Sequence, residues 1–231
     1  RRLLPMTGRP APPASAGDAR LVGIKVLTRD ELHAAAFILA QGMLDNPLHV
    51  RAFGSSPVPR ERRLLRFLGG VIGHVEAHGE VLGAFAGGEL VGVLGMMEPG
   101  RCRPTLRERL RLGCLIVAGN PPATVLRIRQ WLSVWARNDP AGPHWHIGPL
   151  AVAEAYRRRG IGRRLMMHCC EQIDAVAAAA YLETDLARNV TFYETLGFAV
   201  IQRETVLGVP NWFMLRPPSP GRPDDAAASP E

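Results

Sequence analysis

The chain switches between two hydrophobic periods. "LVGIKVLT" (21–28) reads as a strand, and "RDELHAAAFILAQGM" (29–43) places Leu32, Ala36 and Leu39 at helical spacing. "DNPLHVRAFGSSPVP" (45–59) shows no period, and Pro47, Pro57 and Pro59 read as breakers, so a loop is expected there. Helical spacing returns in "RERRLLRFLGGVIGHVEAHG" (60–79), with Leu64, Leu68, Val71 and Val75 on one side. Two apolar runs joined by Gly87-Gly88 predict a hairpin. Residues 104–138 carry two further amphipathic helices, separated by Pro121-Pro122.

The next stretch changes parity. In "HWHIGPLAV" (144–152), Trp145 and Ile147 share one face, whereas Leu150 and Val152 share the other, and the switch falls across Gly148-Pro149. One extra residue and a kink, a bulged strand, would produce that pattern. "AYRRRGIGRR" (155–164) follows, then a helix with Ile161, Leu165, Cys169, Ile173 and Val176 on one face. "AYLETDL" (180–186) reads as a strand, "RNVTFYETLGF" (188–198) as a short helix with Gly197 as its C-cap, and "AVIQRETVLGVPNWFMLRP" (199–217) as two strands. The order predicts a mixed α/β (α+β) layer protein with one folded unit over residues 21–216. Residues 1–20 and 217–231, rich in Pro, Ala and Gly, are expected to be disordered tails.

Charge changes this picture little. The formal net charge of +7 invites a polyanion, but Lys25 is the only lysine, and an arginine bias of this kind looks like a habit of the source genome. Apart from Tyr156 there are no aromatic platforms beside the arginine run, so no nucleic-acid partner is expected. Cys102, Cys114, Cys169 and Cys170 form no CxxC pair, and no His stands at ligand spacing beside them. Reduced thiols, no metal and a cytoplasmic location are the expectation. No cysteine stands beside a His and a carboxylate in the sequence, so no acyl-cysteine step is implied. The longest apolar stretch, residues 81–97, is broken by Glu89, and the first twenty residues lack a long apolar core, so neither a membrane partner nor a signal peptide is expected. The chain does not begin with Met; its start is either missing or at Met6. A monomer or a homodimer is expected.

The arginine-glycine run admits three readings: a nucleic-acid patch, a phosphate cradle and a solvated helix start. A strand, a glycine loop and then a helix form an anion site because the first helical turn has N–H groups without internal partners and a positive dipole end. The run lacks the third glycine of GxGxxG and the GKS or GKT of a P-loop.

"RRRGIG" (157–162) resembles the [QR]xxGx[GA] signature of the GNAT superfamily of acetyl-CoA-dependent N-acetyltransferases. "LAV" before it is similar to the family's bulged fourth strand, and "YLET…RNVTFYETLGF" to its following strand and helix. The two extra helices and "WFMLRP" look most like the puromycin N-acetyltransferase-like branch. The resemblance implies a mixed sheet of about seven strands flanked by helices, acetyl-CoA as co-substrate, and transfer of an acetyl group to a primary amine by direct attack on the thioester. A non-catalytic coenzyme A-binding regulatory domain and a protein or peptide acetyltransferase are the alternatives. It further implies that the amides of Arg157, Arg158, Arg159, Gly160, Ile161, Gly162 and Arg163 hold the pyrophosphate. The backbone N–H of Leu150 would polarise the thioester carbonyl, and Ala151 and Val152 would pair with the pantetheine arm. Asn189 would contact that arm, although an N-cap role also fits Asn. Tyr193 would protonate the departing thiolate; a buried aromatic is its plain alternative. For the general base the candidates are Glu183 first, then His144, His146, Glu98 and Asp45, with a water relay as the other route. His33 and His49 read as ordinary. Trp131, Trp135, Trp145 and Trp212 suggest a partly apolar acceptor wall and so a small-molecule amine.

Overall fold

The computed structural model describes residues 22–102 and 104–219. The expected N-terminal tail, and the C-terminal tail from residue 220, lie outside the described residues. Seven strands form one mixed sheet in the order β1-β2-β3-β4-β5-β7-β6. They are β1 (Gly23–Val26), β2 (Gly79–Ala86), β3 (Glu89–Met97), β4 (His144–Val152), β5 (Ala179–Thr184), β6 (Ala199–Val206) and β7 (Val209–Arg216). All neighbours are antiparallel except β4 and β5. The turn between β2 and β3 uses Gly87 and Gly88, both at positive φ, the conformation a two-residue hairpin demands.

Helices cover both faces. On one side lie α1 (Leu32–Met43), α2 (Pro47–Phe53), α3 (Pro57–His78) and α5 (Pro122–Asn138), over a core that includes Leu39, Phe53, Leu64, Trp131 and Phe213. On the other lie α6 (Ile161–Ala175) and α7 (Ala187–Glu194), over Leu94, Leu165, Cys169, Ile173 and Met214. The helix α4 (Leu106–Gly119) buries none of its residues and is held at its start by a capping box between Thr105 and Glu108.

Three local expectations need correction. Residues 45–59 are not a loop: Pro47 and Pro57 occupy the first turns of α2 and α3, where a missing N–H costs nothing, so these prolines start helices. On α3 the core side is Leu64, Leu68, Ile72 and Val75, while Val71 is only partly buried, because a 3.6-residue period favours the 4-4-3 spacing. Val176 follows the end of α6 and is exposed rather than on its buried face.

Arg60 fixes the approach to the site. Its buried guanidinium donates to the carbonyl oxygens of Leu44, Gly54 and Ser55 and to Asp45 Oδ1, at 2.6–2.9 Å. One side chain thus ties the turns at both ends of α2, and every one of these bonds is charge-assisted.

Candidate active site

The bulge in β4 is where the parity change places it. Ile147 faces Met96 and Leu150 faces Leu94, so Gly148 and Pro149 together oppose Gly95. A Cβ on Gly95 would stand 2.5 Å from the Gly148 carbonyl oxygen, so β3 has no side chain where β4 swells. Beyond the bulge β4 leaves its parallel neighbour. His144, Trp145 and His146 pair with Ala179, Ala180 and Tyr181, and no later pair joins β4 to β5 among the described residues. The two strands therefore open into a V. Backbone groups alternate sides along a strand. The Ala153 N–H donates to the Val91 carbonyl on β3 at 2.9 Å, so the N–H groups of Val152 and Leu150 face the opening.

The start of α6 lies at the mouth of that opening. Arg158 (φ 61°) and Gly160 (φ 79°) are both left-handed. The first intrahelical bond is Arg164 N–H to the Gly160 carbonyl at 3.0 Å, which leaves the N–H groups of Ile161, Gly162 and Arg163 without an intrahelical acceptor. No side chain caps this helix. Several arginines of the run turn back onto the protein. Arg157 Nε donates to the Val152 carbonyl, Arg159 stacks over Tyr156, Arg163 reaches Thr195 Oγ1, and Arg164 reaches the Val22 carbonyl.

Beyond β5, α7 carries the Asn-Tyr block. Asn189 is not the N-cap, which is Leu186; it sits inside the first turn and donates to Thr184 Oγ1 at 3.3 Å. Tyr193 is 8 % exposed, against Phe192 and Phe198. Burial pushes its phenol up to about 12, so it stays protonated at neutral pH. Glu183 does not reach toward Tyr193. Its buried carboxylate accepts from His146 Nε2 at 2.9 Å, on the opposite face of the sheet.

Of the other candidate bases, His146 and His144 gather beside Glu183, whereas Asp45 and Glu98 lie apart. Asp45 is exposed and paired with Arg60, and Glu98 is exposed in the turn after β3. His49 is buried edge-on to Trp131, and burial depresses it to about 4. The four tryptophans form no common wall. Trp131 and Trp135 pack together on the α5 side, whereas Trp145 and Trp212 pack on the α6 side. Folding also brings together what the sequence keeps apart: Cys102 Sγ lies 3.8 Å from His144 Nε2, with Asp139 Oδ1 3.1 Å from the same nitrogen. These residues are 37 and 42 positions apart from Cys102, so their grouping is a product of tertiary structure.

Asp185 was not singled out by sequence. It accepts the Leu48 N–H at 2.8 Å and so anchors the first turn of α2 to the end of β5. Beside it lies a cleft of about 290 Å³ lined by Gln41, Asp45, Asn46, Arg157 and Arg188 among others. It is mostly polar. Its floor is set where α1 crosses β4: a Cβ on Gly42 would stand 2.5 Å from Ala151 Cβ.

A bulged strand parting from its parallel neighbour, with an open helix start at the gap, is the arrangement of coenzyme A-dependent acyltransferases that the resemblance predicts. The acetyltransferase (GNAT) family profile matches residues 49–198, and the chain belongs to this family. GNAT enzymes are acyltransferases that use acetyl-CoA. Solved structures repeat the fold. One, described as histone acetyltransferase HPA2 and related acetyltransferase, from Corynebacterium glutamicum, superposes with a TM-score of 0.66 at 22% identity, covering 86% of this chain and 97% of that one. An agmatine N-acetyltransferase superposes at 0.55 with 15% identity, covering 84% and 98%. A ribosomal-protein-alanine N-acetyltransferase from Brucella melitensis does so at 0.50 with 16% identity, covering 84% and 99%. No helix among the described residues is long and apolar enough to cross a membrane.

Proposed function

We propose that the chain transfers an acetyl group from acetyl-CoA to a primary amine of a small molecule. The observation that carries this reading is the V between β4 and β5, with the N–H groups of Leu150 and Val152 turned into it and the open start of α6 beside it. The pyrophosphate would sit on the loop from Arg157 to Arg163, held by amides more than by side chains. Ala151 and Val152 would line the pantetheine arm, and Asn189 would contact it from α7.

Attack by the neutral amine nitrogen on the thioester carbonyl forms the C–N bond and places negative charge on the oxygen. The Leu150 N–H stabilises that oxyanion, an effect worth about 3 kcal/mol for one donor. Collapse of the intermediate breaks the C–S bond, and Tyr193 gives its proton to the thiolate. Glu183 is occupied by His146, so the amine's proton leaves through water, with Glu183 positioning rather than accepting. A small acceptor is favoured by the modest cleft of about 290 Å³, near the lower end of ligand pockets. The paired helices α4 and α5 keep the puromycin N-acetyltransferase-like branch as the reading within the family.

Titration calorimetry with coenzyme A tests the first half, and the folded protein should bind one equivalent. Mass spectrometry of acetylated products from a metabolite extract tests the second. Transfer only to peptide N-termini would move the acceptor to proteins, and binding without transfer would favour a regulatory coenzyme A-binding domain.

A further inference from the structure

Four side chains from three segments converge ahead of the bulge, on the sheet face that α5 covers. Cys102 comes from the turn after β3, Asp139 from the end of α5, and His144 and His146 from β4. One donor atom from each lies within 4.8 Å of all the others. We propose that these residues form a site for one divalent transition-metal ion, zinc being the best chemical match, bound through Cys102 Sγ, an Asp139 carboxylate oxygen, His144 Nε2 and His146 Nδ1.

The hydrogen bonds around the two rings argue for this. His144 Nδ1–H donates to the Gly142 carbonyl at 2.8 Å, and His146 Nε2–H donates to Glu183 at 2.9 Å. The outer nitrogen of each ring is thereby fixed as the donor, which turns the other nitrogen toward the cluster. That carboxylate or carbonyl support is the usual surrounding of a metal-bound imidazole. His146 Nδ1 is buried without a hydrogen-bond partner. Asp139 Oδ1 lies 3.8 Å from this nitrogen, too far for a hydrogen bond but suitable for sharing an ion.

Distances and charge agree. A tetrahedron with ordinary zinc bonds to sulfur, nitrogen and oxygen has edges of about 3.3–3.6 Å. The separations Asp139–His144, Cys102–His144 and Asp139–His146 are 3.1, 3.8 and 3.8 Å. A thiolate and a carboxylate cancel the charge of the ion, and sulfur with two imidazoles selects zinc or cobalt over magnesium or calcium. Binding sends the thiol proton, and any second proton on the imidazoles, to solvent. Four protein donors leave no open position, so the role is structural: the ion would pin Cys102 and the end of α5 to β4. A Cys-His-acid nucleophile is the alternative use of these side chains. His144 does not fit it, since it presents Nε2 to both Cys102 and Asp139. His146 stands between Cys102 and Glu183 but shares Cys102 with a second imidazole and a second carboxylate that a triad does not need.

Chelator-stripped protein titrated with Co²⁺ tests the site without any coenzyme. The expected result is one Co²⁺ per chain, with a thiolate-to-cobalt charge-transfer band and the intense visible bands of four-coordinate cobalt, all erased by one equivalent of Zn²⁺. Cys102→Ser should remove the charge-transfer band while Cys114→Ser keeps it, and Glu183→Gln should weaken Co²⁺ binding about 10- to 100-fold. Circular dichroism confirms that each variant is folded. Absence of stoichiometric Co²⁺ binding by folded wild-type protein, or a six-coordinate spectrum indifferent to Cys102→Ser, overturns the proposal. Loss of coenzyme binding leaves this result untouched, so the two readings fail separately.

Discussion

The two halves of β4 do opposite kinds of chemistry. Before the bulge, His144 and His146 present side chains into a half-buried cluster with Cys102 and Asp139, and β4 is still paired to β5. After the bulge, Leu150, Ala151 and Val152 are apolar, β5 has moved away, and the backbone amides face the gap. A continuous strand can serve both because the extra residue ends one register and begins another. Side-chain chemistry needs partners from distant segments, whereas amide chemistry needs only a strand edge and an open helix start. The helix starts repeat the contrast: α4 satisfies its own first turn with Thr105 and Glu108, whereas α6 leaves its turn uncapped.

The sharpest way to break this division is Tyr193→Phe. Removing the phenolic O–H should lower kcat about 10²- to 10⁴-fold in steady-state kinetics and leave coenzyme affinity within about twofold by calorimetry. Unchanged turnover would take Tyr193 out of the chemistry. Next in size is Gly95→Ala, which puts a methyl group against the Gly148 carbonyl at the join of the two halves. It should cost about 1–3 kcal/mol in thermal or denaturant unfolding and weaken coenzyme and cobalt binding together; weakening of only one would mean that the halves are independent. Gly160→Val forces a branched side chain into the left-handed region and should weaken coenzyme binding roughly 5- to 30-fold, from about 1–2 kcal/mol of strain. Arg158→Ala should cost less than about fivefold, as expected for an exposed charge; the reverse order would restore the side chains as the main anion donors. The smallest effect is an absence. Burial raises the Tyr193 phenol to about 12, so the acid form persists as pH rises and is lost only through that value. A kcat profile should show no alkaline limb from this group near pH 10, its ordinary position.

The second half of β4 was legible in the sequence because its determinants are local. The parity change across Gly148-Pro149, the glycines of the loop and the Asn-Tyr spacing all fall within about fifty residues, and the first two act through backbone geometry. The first half was not legible. His144 and His146 have the two-residue spacing of one strand face, but Cys102 and Asp139 reach them only after α5 has folded across the sheet. The prolines near α2 misled for a related reason: Pro breaks a helix in its interior and favours one at its first turn, and the periodicity of seven residues is too short to tell which. The supposed tryptophan wall failed because residues close in chemistry lie on opposite faces of the sheet.

The crossing of α1 over β4 has a practical consequence for changing what the cleft accepts. Gly42 and Ala151 touch so closely that neither can grow without moving α1 or β4. A mutant library aimed at a different cleft can vary Gln41 and Arg188 around this point, whereas Asp45 must stay to pair the buried Arg60. Positions 42 and 151 must stay small together, so any enlargement of the cleft has to proceed along its rim rather than its floor.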